Sequence, residues 1–340
     1  MKLKLPSILS SSKQGQQEER GYLSAKLYEC STRFSLIGPS GCGKSTIVAL
    51  IGLTSQTLSS RRRDFYCRIL ERNSNIYGDI SNIRSGYFPE KTEAFDSHAV
   101  EAGFLLAKKS SIPFGGFKKI QTPVCDVAGE TLQMNIRQYA KAVGPLGTAA
   151  YSAVNSVNKY LKQSEGVIAV ADASRAIIGR GSENAQVKTE ADKKLHRDPD
   201  VNLVRLLNDI FDYRDSIKKP LKAIFIIITK WDELKYHVEH RGINIMDPDQ
   251  NDLTLFMDTF YPSVSQAIKS YQVDHPQTKI RYFPTFVEVE RDENNVPKTW
   301  DGTHEIIRAK ESEEICDWRK PACSEQTYAN LIDAILEFAT

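Results

Sequence analysis

The sequence holds no long apolar run, no surplus of charge and no paired-cysteine motif. Nothing approaches the ~18 consecutive apolar residues of a membrane-spanning helix. Residues 1–10 carry lysines and scattered apolar side chains, without an apolar stretch of signal length. Lys and Arg number 45 against 43 Asp and Glu, and the net +2 gives no electrostatic case for a nucleic-acid partner. The one dense basic run, Arg61-Arg62-Arg63, leads into Asp64 and reads as a solvated helix end. The six cysteines, Cys30, Cys42, Cys67, Cys125, Cys316 and Cys323, include no C-x-x-C spacing, which removes zinc ribbons and dithiol redox motifs. This is a reduced, intracellular pattern, so a soluble cytoplasmic protein is expected. His237 and His240 lack a neighbouring cysteine or third histidine and read as surface residues. No internal repeat is visible, which argues against a solenoid.

What is present begins at Gly38-Pro39-Ser40-Gly41-Cys42-Gly43-Lys44-Ser45-Thr46, directly after the apolar run Phe34-Ser35-Leu36-Ile37. The segment fits the phosphate-binding pattern G-x-x-x-x-G-K-[ST] at every fixed position. Typical residue frequencies give about one accidental match per hundred chains of this length. The spacing predicts a strand ending near Ile37, a loop whose N–H groups point inward, and a helix from about Lys44 whose positive end completes the cradle. Gly38, Gly41 and Gly43 permit the turn, with Ser40, Cys42 and Thr46 supplying further loop and helix contacts. Lys44 is placed to reach the β and γ phosphates, and Ser45 to ligate Mg²⁺.

A phosphate loop alone does not name the nucleotide. Residues 121–130 read Gln-Thr-Pro-Val-Cys-Asp-Val-Ala-Gly-Glu, an extended segment ending in Asp126-x-x-Gly129. That pattern suits a carboxylate reaching Mg²⁺ through water, followed by a glycine N–H that meets a γ-phosphate. Further on, Ala223-Ile224-Phe225-Ile226-Ile227-Ile228 predicts a strand buried on both faces of a parallel sheet. It runs straight into Thr229-Lys230-Trp231-Asp232. Here the aspartate can accept from guanine N1 and N2 while the lysine stem lies along the base. Adenine lacks that donor pair, and the mismatch would cost several kcal/mol, about what polar-site selectivity supplies.

With these boxes in this order, the chain resembles Ras-like, translation-factor-class P-loop GTPases. The stretch Gly86-Tyr87-Phe88-Pro89-Glu90-Lys91-Thr92 is similar in motif to the prokaryotic double-GTPase families. The resemblance implies a three-layer α/β P-loop NTPase fold, with a mostly parallel sheet and helices on both faces. It also implies Mg²⁺-dependent hydrolysis of GTP to GDP, used as a molecular switch. Thr92 is then the residue that closes on Mg²⁺, with Ser110, Ser111 and Thr122 as rivals. Lys44, Thr92, Gly129 and Glu130 form the catalytic set, and Ser45, Thr92 and Asp126 the Mg²⁺ set. The fifth, guanine-contacting box falls at 281–287, where Thr285 and Phe286 are the contacts to test. Ras-like enzymes carry Gln where this chain has Glu130, which donates no hydrogen bond when ionised. Turnover is therefore expected to be slow without an effector or activating partner, or a second copy of the chain. Arg84 and Lys91 are the candidates for a cation acting in cis. The alternative is a GTP/GDP-binding module with little hydrolysis; an ATPase or kinase is disfavoured by the Thr229-Lys230-x-Asp232 box.

Along the chain, residues 1–20 read as a flexible tail and 21–340 as a single domain with insertions near 174–200 and 290–321. Residues 101–109 and 117–124 read as strands of an edge hairpin. Residues 133–162 have helical spacing interrupted by Gly144-Pro145-Leu146-Gly147, a turn or a hinge. Residues 166–172 form a buried strand, 202–213 a helix, and Tyr328, Leu331, Ile332, Ile335 and Leu336 one face of a final helix.

Overall fold

The protein is represented by a computed structural model that describes residues 32–39, 41–70, 76–89, 102–109, 117–124, 164–174, 199–236, 242–302, 304–310 and 320–338. The elements in chain order are β1 (Thr32–Ile37), α1 (Lys44–Arg61), β2 (Phe65–Leu70), α2 (Ile76–Arg84), β3 (Ala102–Lys109), β4 (Phe117–Val124) and β5 (Gly166–Asp172). They continue with α3 (Pro199–Ser216), β6 (Ala223–Thr229), a 3₁₀ turn (Trp231–Tyr236), α4 (Gln250–Phe260), α5 (Pro262–Asp274), β7 (Lys279–Pro284) and α6 (Glu325–Leu336). The expected tail, the helical stretch 133–162 and residues 175–198 of the first insertion lie outside the described residues.

One seven-stranded sheet runs in the order β2-β3-β4-β1-β5-β6-β7. From β4 to β7 all neighbours are parallel, whereas β2 and β3 pair antiparallel. The protein is thus α/β with a mostly parallel sheet. β5 and β6 are buried along their whole length, which is why they read as continuous apolar runs without alternation. Their successive side chains still serve different cores. Ile168, Val170, Phe225 and Ile227 face α1, α2 and α6, while Val167, Ala169, Ile224, Ile226 and Ile228 face α3, α4 and α5. At the centre of the first core Phe225 stacks on Phe34 at 5.5 Å and meets Phe283 edge-on at 5.6 Å. A Cβ on Gly166 would lie 2.2 Å from the Phe34 ring, so the ring's position requires glycine there.

One expectation needs correction. The β3–β4 hairpin is not at the sheet edge, because β2 adds an outer strand paired to β3 from Phe65↔Lys108 to Leu70↔Gly103. The described part of the expected insertion at 290–321 has regular structure. It belongs to an antiparallel ladder, with bridges Val289↔Ile307, Arg291↔Pro297, Thr299↔Glu305 and Ala309↔Pro321, joined to residue 87 through Tyr87↔Ile306. The Ile307 N–H donates to Gly86 O at 2.8 Å, fixing the ladder against the chain that leaves α2. Arg61 does end α1, and Arg62 pairs with Asp64 at 3.3 Å and Asp333 at 2.8 Å.

Candidate functional site

Pairing with β4 and β5 fixes β1, and the chain then turns sharply at Gly38 into α1. A Cβ at Gly38 would stand 2.7 Å from Cys42 Sγ and 3.0 Å from Val170 Cβ, so the turn has no room for one. Gly41 and Gly43 have φ of 68° and 91°, in the region that favours glycine. Gly43 is the N-cap of α1, yet no side chain caps it and no acidic residue stands in the first turn. Other helices here are treated differently. The Asp249 carboxylate caps α4, and Asp200, from α3, accepts the Ser263 and Val264 N–H groups of α5, both at 2.9 Å. The first turn of α1 therefore keeps the positive end that the other two have neutralised.

Lys44 lies across this loop. It is 6% exposed, and its Nζ donates to Gly38 O at 3.2 Å and Pro39 O at 3.0 Å. The ammonium is thus held over the loop mouth by carbonyls that a phosphate would readily outcompete. Ser45 and Thr46 follow in the first helical turn, both half-buried. Ser40 lies outside the described residues.

The end of β6 meets the loop directly. Thr229 Oγ1 lies 3.0 Å from Cys42 O and 3.2 Å from Ala171 O, so one hydroxyl links β6 to the loop and to β5. Lys230 follows with φ 56°, and its Nζ pairs with Asp172 Oδ2 at 2.9 Å. The Asp172 side chain is 1% exposed; Oδ1 accepts from Ser174 N and Oγ, and the Tyr261 hydroxyl bonds both the N–H and the carbonyl of residue 172 at 2.9 Å. Lys230 is therefore anchored at a rigid strand end. Asp232 is the second residue of the 3₁₀ turn, where burial pushes its carboxyl up to about 6; Glu233 adds to the rise and Lys235 opposes it. Trp231 fixes the turn through Nε1 to Ile245 O at 2.9 Å and its N–H to Thr285 O at 3.1 Å. Thr285, just past β7, is buried and donates its N–H to Ile228 O at 2.8 Å.

A pocket of about 260 Å³ lies where these pieces meet. Cys42, Gly43 and Thr46 form one side, and Thr229, Lys230 and Asp232 another. Thr285 and Phe286 of the expected fifth box complete the wall beside them. No protein-family model matches the chain, and no curated protein matches it in sequence. The reading of the pocket accordingly stands on its residues.

Sequence reasoning missed Phe88, Glu233, Val287, Val289 and Glu305, which also line the pocket. Part of the signal was available at 287–290, where Val287 and Val289 alternate with Glu288 and Glu290 at a strand's period of two. Thr92, Asp126, Gly129 and Glu130, the rivals Ser110 and Ser111, and His237 and His240 all lie outside the described residues. Thr122 is within β4. Arg84 donates to Gln56 Oε1 at 3.1 Å, from α2 to α1. No group of three or more His, Cys, Asp or Glu side chains placed to hold a metal occurs among the described residues. No described helix is long and apolar enough to cross a membrane.

Proposed function

We propose that the chain is a cytoplasmic guanine-nucleotide-binding protein of the three-layer P-loop type that hydrolyses GTP to GDP and phosphate as a molecular switch. One observation carries the reading: a single pocket brings the uncapped start of α1 together with the Thr229-Lys230-x-Asp232 turn and Thr285-Phe286. Phosphates belong at the loop, where Lys44 and the free helix end supply positive charge. The purine belongs toward Asp232, whose partly desolvated carboxylate is costly to leave unpaired and is matched by two N–H donors on one edge. The apolar faces of Phe88, Phe286 and Val289 suit a flat ring between them.

Mg²⁺ fits the donor chemistry, which is hard oxygen throughout: the Ser45 hydroxyl with Thr92 and Asp126. It would neutralise phosphate charge, whereas Lys44 binds and orients the phosphates. Gly129 would register the γ-phosphate through its N–H, and Glu130 would stand near the attacking water. Glu130 in place of glutamine favours slow turnover, with an activating protein or a second copy supplying what is missing. It also supports the second reading, a GTP/GDP-binding module with little hydrolysis. The test is to identify the nucleotide that copurifies and then measure phosphate release from GTP, with and without Mg²⁺, for wild type and Glu130→Gln. Guanine nucleotide with slow Mg²⁺-dependent release is expected; equal affinity for ATP and GTP refutes the reading.

A further inference from the structure

The ladder over 287–309 places charge around the base-binding carboxylate in a patterned way. Two carboxylates, Glu233 on the same turn and Glu288 on the ladder, bear on Asp232 electrostatically. Each is paired with an arginine from the ladder. Arg291 Nη2 donates to Glu233 Oε1 at 2.6 Å, and Arg308 Nη1 to Glu288 Oε2 at 3.3 Å. The first pair is the better shielded, with side chains 17% and 30% exposed; in the second, Arg308 is 51% exposed. Arg291 is also fixed by Nη1 to Asn295 O at 2.9 Å, and Arg308 by its N–H to Glu288 O at 2.8 Å. Among the described residues, the other charged groups near Asp232 are Lys235 on its own turn, Glu305 across the pocket, and Lys230, already paired with Asp172.

We propose that Arg291, and more weakly Arg308, are positioning residues of the base pocket: by pairing the carboxylates that flank Asp232, they leave Asp232 charged and available to the purine edge. The inference rests on the guanine-pocket reading. Without Arg291, the Glu233 charge acts on Asp232 unopposed and the ladder loses its side-chain tie to the turn. Both effects bear on base recognition, but only the electrostatic one depends on pH. A nearby charge shifts a carboxyl by about one pH unit, and the more exposed Arg308 pair should act less.

The experiment is binding of fluorescent GDP to the full chain from pH 5 to 9, for wild type, Arg291→Met, Arg291→Lys, Arg308→Met, Glu233→Gln and the double variant Arg291→Met with Glu233→Gln. Wild-type affinity should fall on acidification with a midpoint near Asp232's value of about 6. Arg291→Met should move that midpoint up by about 0.5–1 pH unit, a loss of about two- to fivefold at pH 6 that nearly vanishes at pH 8.5. Arg308→Met should move it less, Glu233→Gln should move it down, and the double variant and Arg291→Lys should sit near wild type or below it. Equal loss at every pH in Arg291→Met, not rescued in the double variant, overturns the proposal and leaves Arg291 a structural residue. Should Arg291→Met fail to fold, an unmoved midpoint in Glu233→Gln overturns it alone. Wild type that binds no GDP at any pH refutes the pocket reading, and the inference falls with it; wild type that binds while the variants keep its midpoint refutes the inference alone.

Discussion

Replacing Asp232 with asparagine should weaken guanine nucleotide and at the same time stabilise the empty protein, an opposition of signs that follows from the carboxyl's surroundings. Burial raises it from 3.8 to about 6, with Glu233 adding to the rise. Because the folded form takes up the proton more readily than the unfolded chain, stability is greatest below 3.8 and declines as pH rises toward 6. Above 6 the cost is complete and constant. A rise of that size corresponds to about 3 kcal/mol as a ceiling, so Asp232→Asn should gain about 1–3 kcal/mol in denaturant unfolding at pH 7.5 and little at pH 4. Binding runs the other way. Two hydrogen bonds to a charged acceptor are worth about 1.5–3 kcal/mol each, and asparagine turns one acceptor into a donor facing a donor. GDP affinity should fall at least a hundredfold, while xanthosine diphosphate, with a carbonyl at C2, should bind better than to wild type. Unfolding curves and nucleotide titrations on one preparation decide the matter. A variant that loses stability at pH 7.5, or that still prefers GDP to xanthosine diphosphate, would refute the assignment of Asp232 to the base.

The remaining expectations concern the loop, the switch and the core. Lys44→Ala should cost triphosphate affinity more than a hundredfold in equilibrium binding, yet shift thermal unfolding little, because among the described residues its Nζ bonds serve the carbonyls of Gly38 and Pro39. Thr92→Ala should remove the Mg²⁺-dependent preference for GTP over GDP; if it does not, Ser110, Ser111 or Thr122 takes that role. Thr229→Val should destabilise by about 1–3 kcal/mol in urea unfolding, since the carbonyls of Cys42 and Ala171 lose their hydroxyl partner, and should weaken GDP through the loosened loop. Phe225→Ala, which empties the space between Phe34 and Phe283, should cost about 3–5 kcal/mol without changing which nucleotide binds.

The parts of the molecule that the sequence made legible are those where local chemistry and long-range packing agree. Ala223–Thr229 could be read as a central strand because both of its faces meet apolar layers, so no polar residue interrupts the run. The loop at 38–46 could be read because its glycines answer to backbone constraints that no other residue meets, whatever the rest of the chain does. β2 was illegible for the opposite reason. Phe-Tyr-Cys-Arg-Ile-Leu directly follows an 18-residue helix, and its partner β3 lies more than thirty residues away, so only the finished sheet makes it the edge strand.

The pocket wall built from 286–309 shows the same limit at the site itself. Read locally, the charged residues there suggest solvent, because nothing nearby in sequence offers them partners. In space Arg291 meets Glu233, 58 residues earlier, and Ile307 meets Gly86, more than two hundred residues earlier. A charged stretch becomes part of a binding site only when another segment supplies its counter-charges, and sequence spacing carries no information about that. The consequence is specific. Residues 86–89 precede Thr92 in sequence, and the ladder ties them to the turn that carries Asp232, so on the proposed reading base recognition and the approach to the γ-phosphate would share one hydrogen-bonded frame. A substitution that frees the ladder from residue 86 should therefore disturb the GTP-over-GDP preference as well as base affinity, whereas Asp232→Asn should disturb base affinity alone.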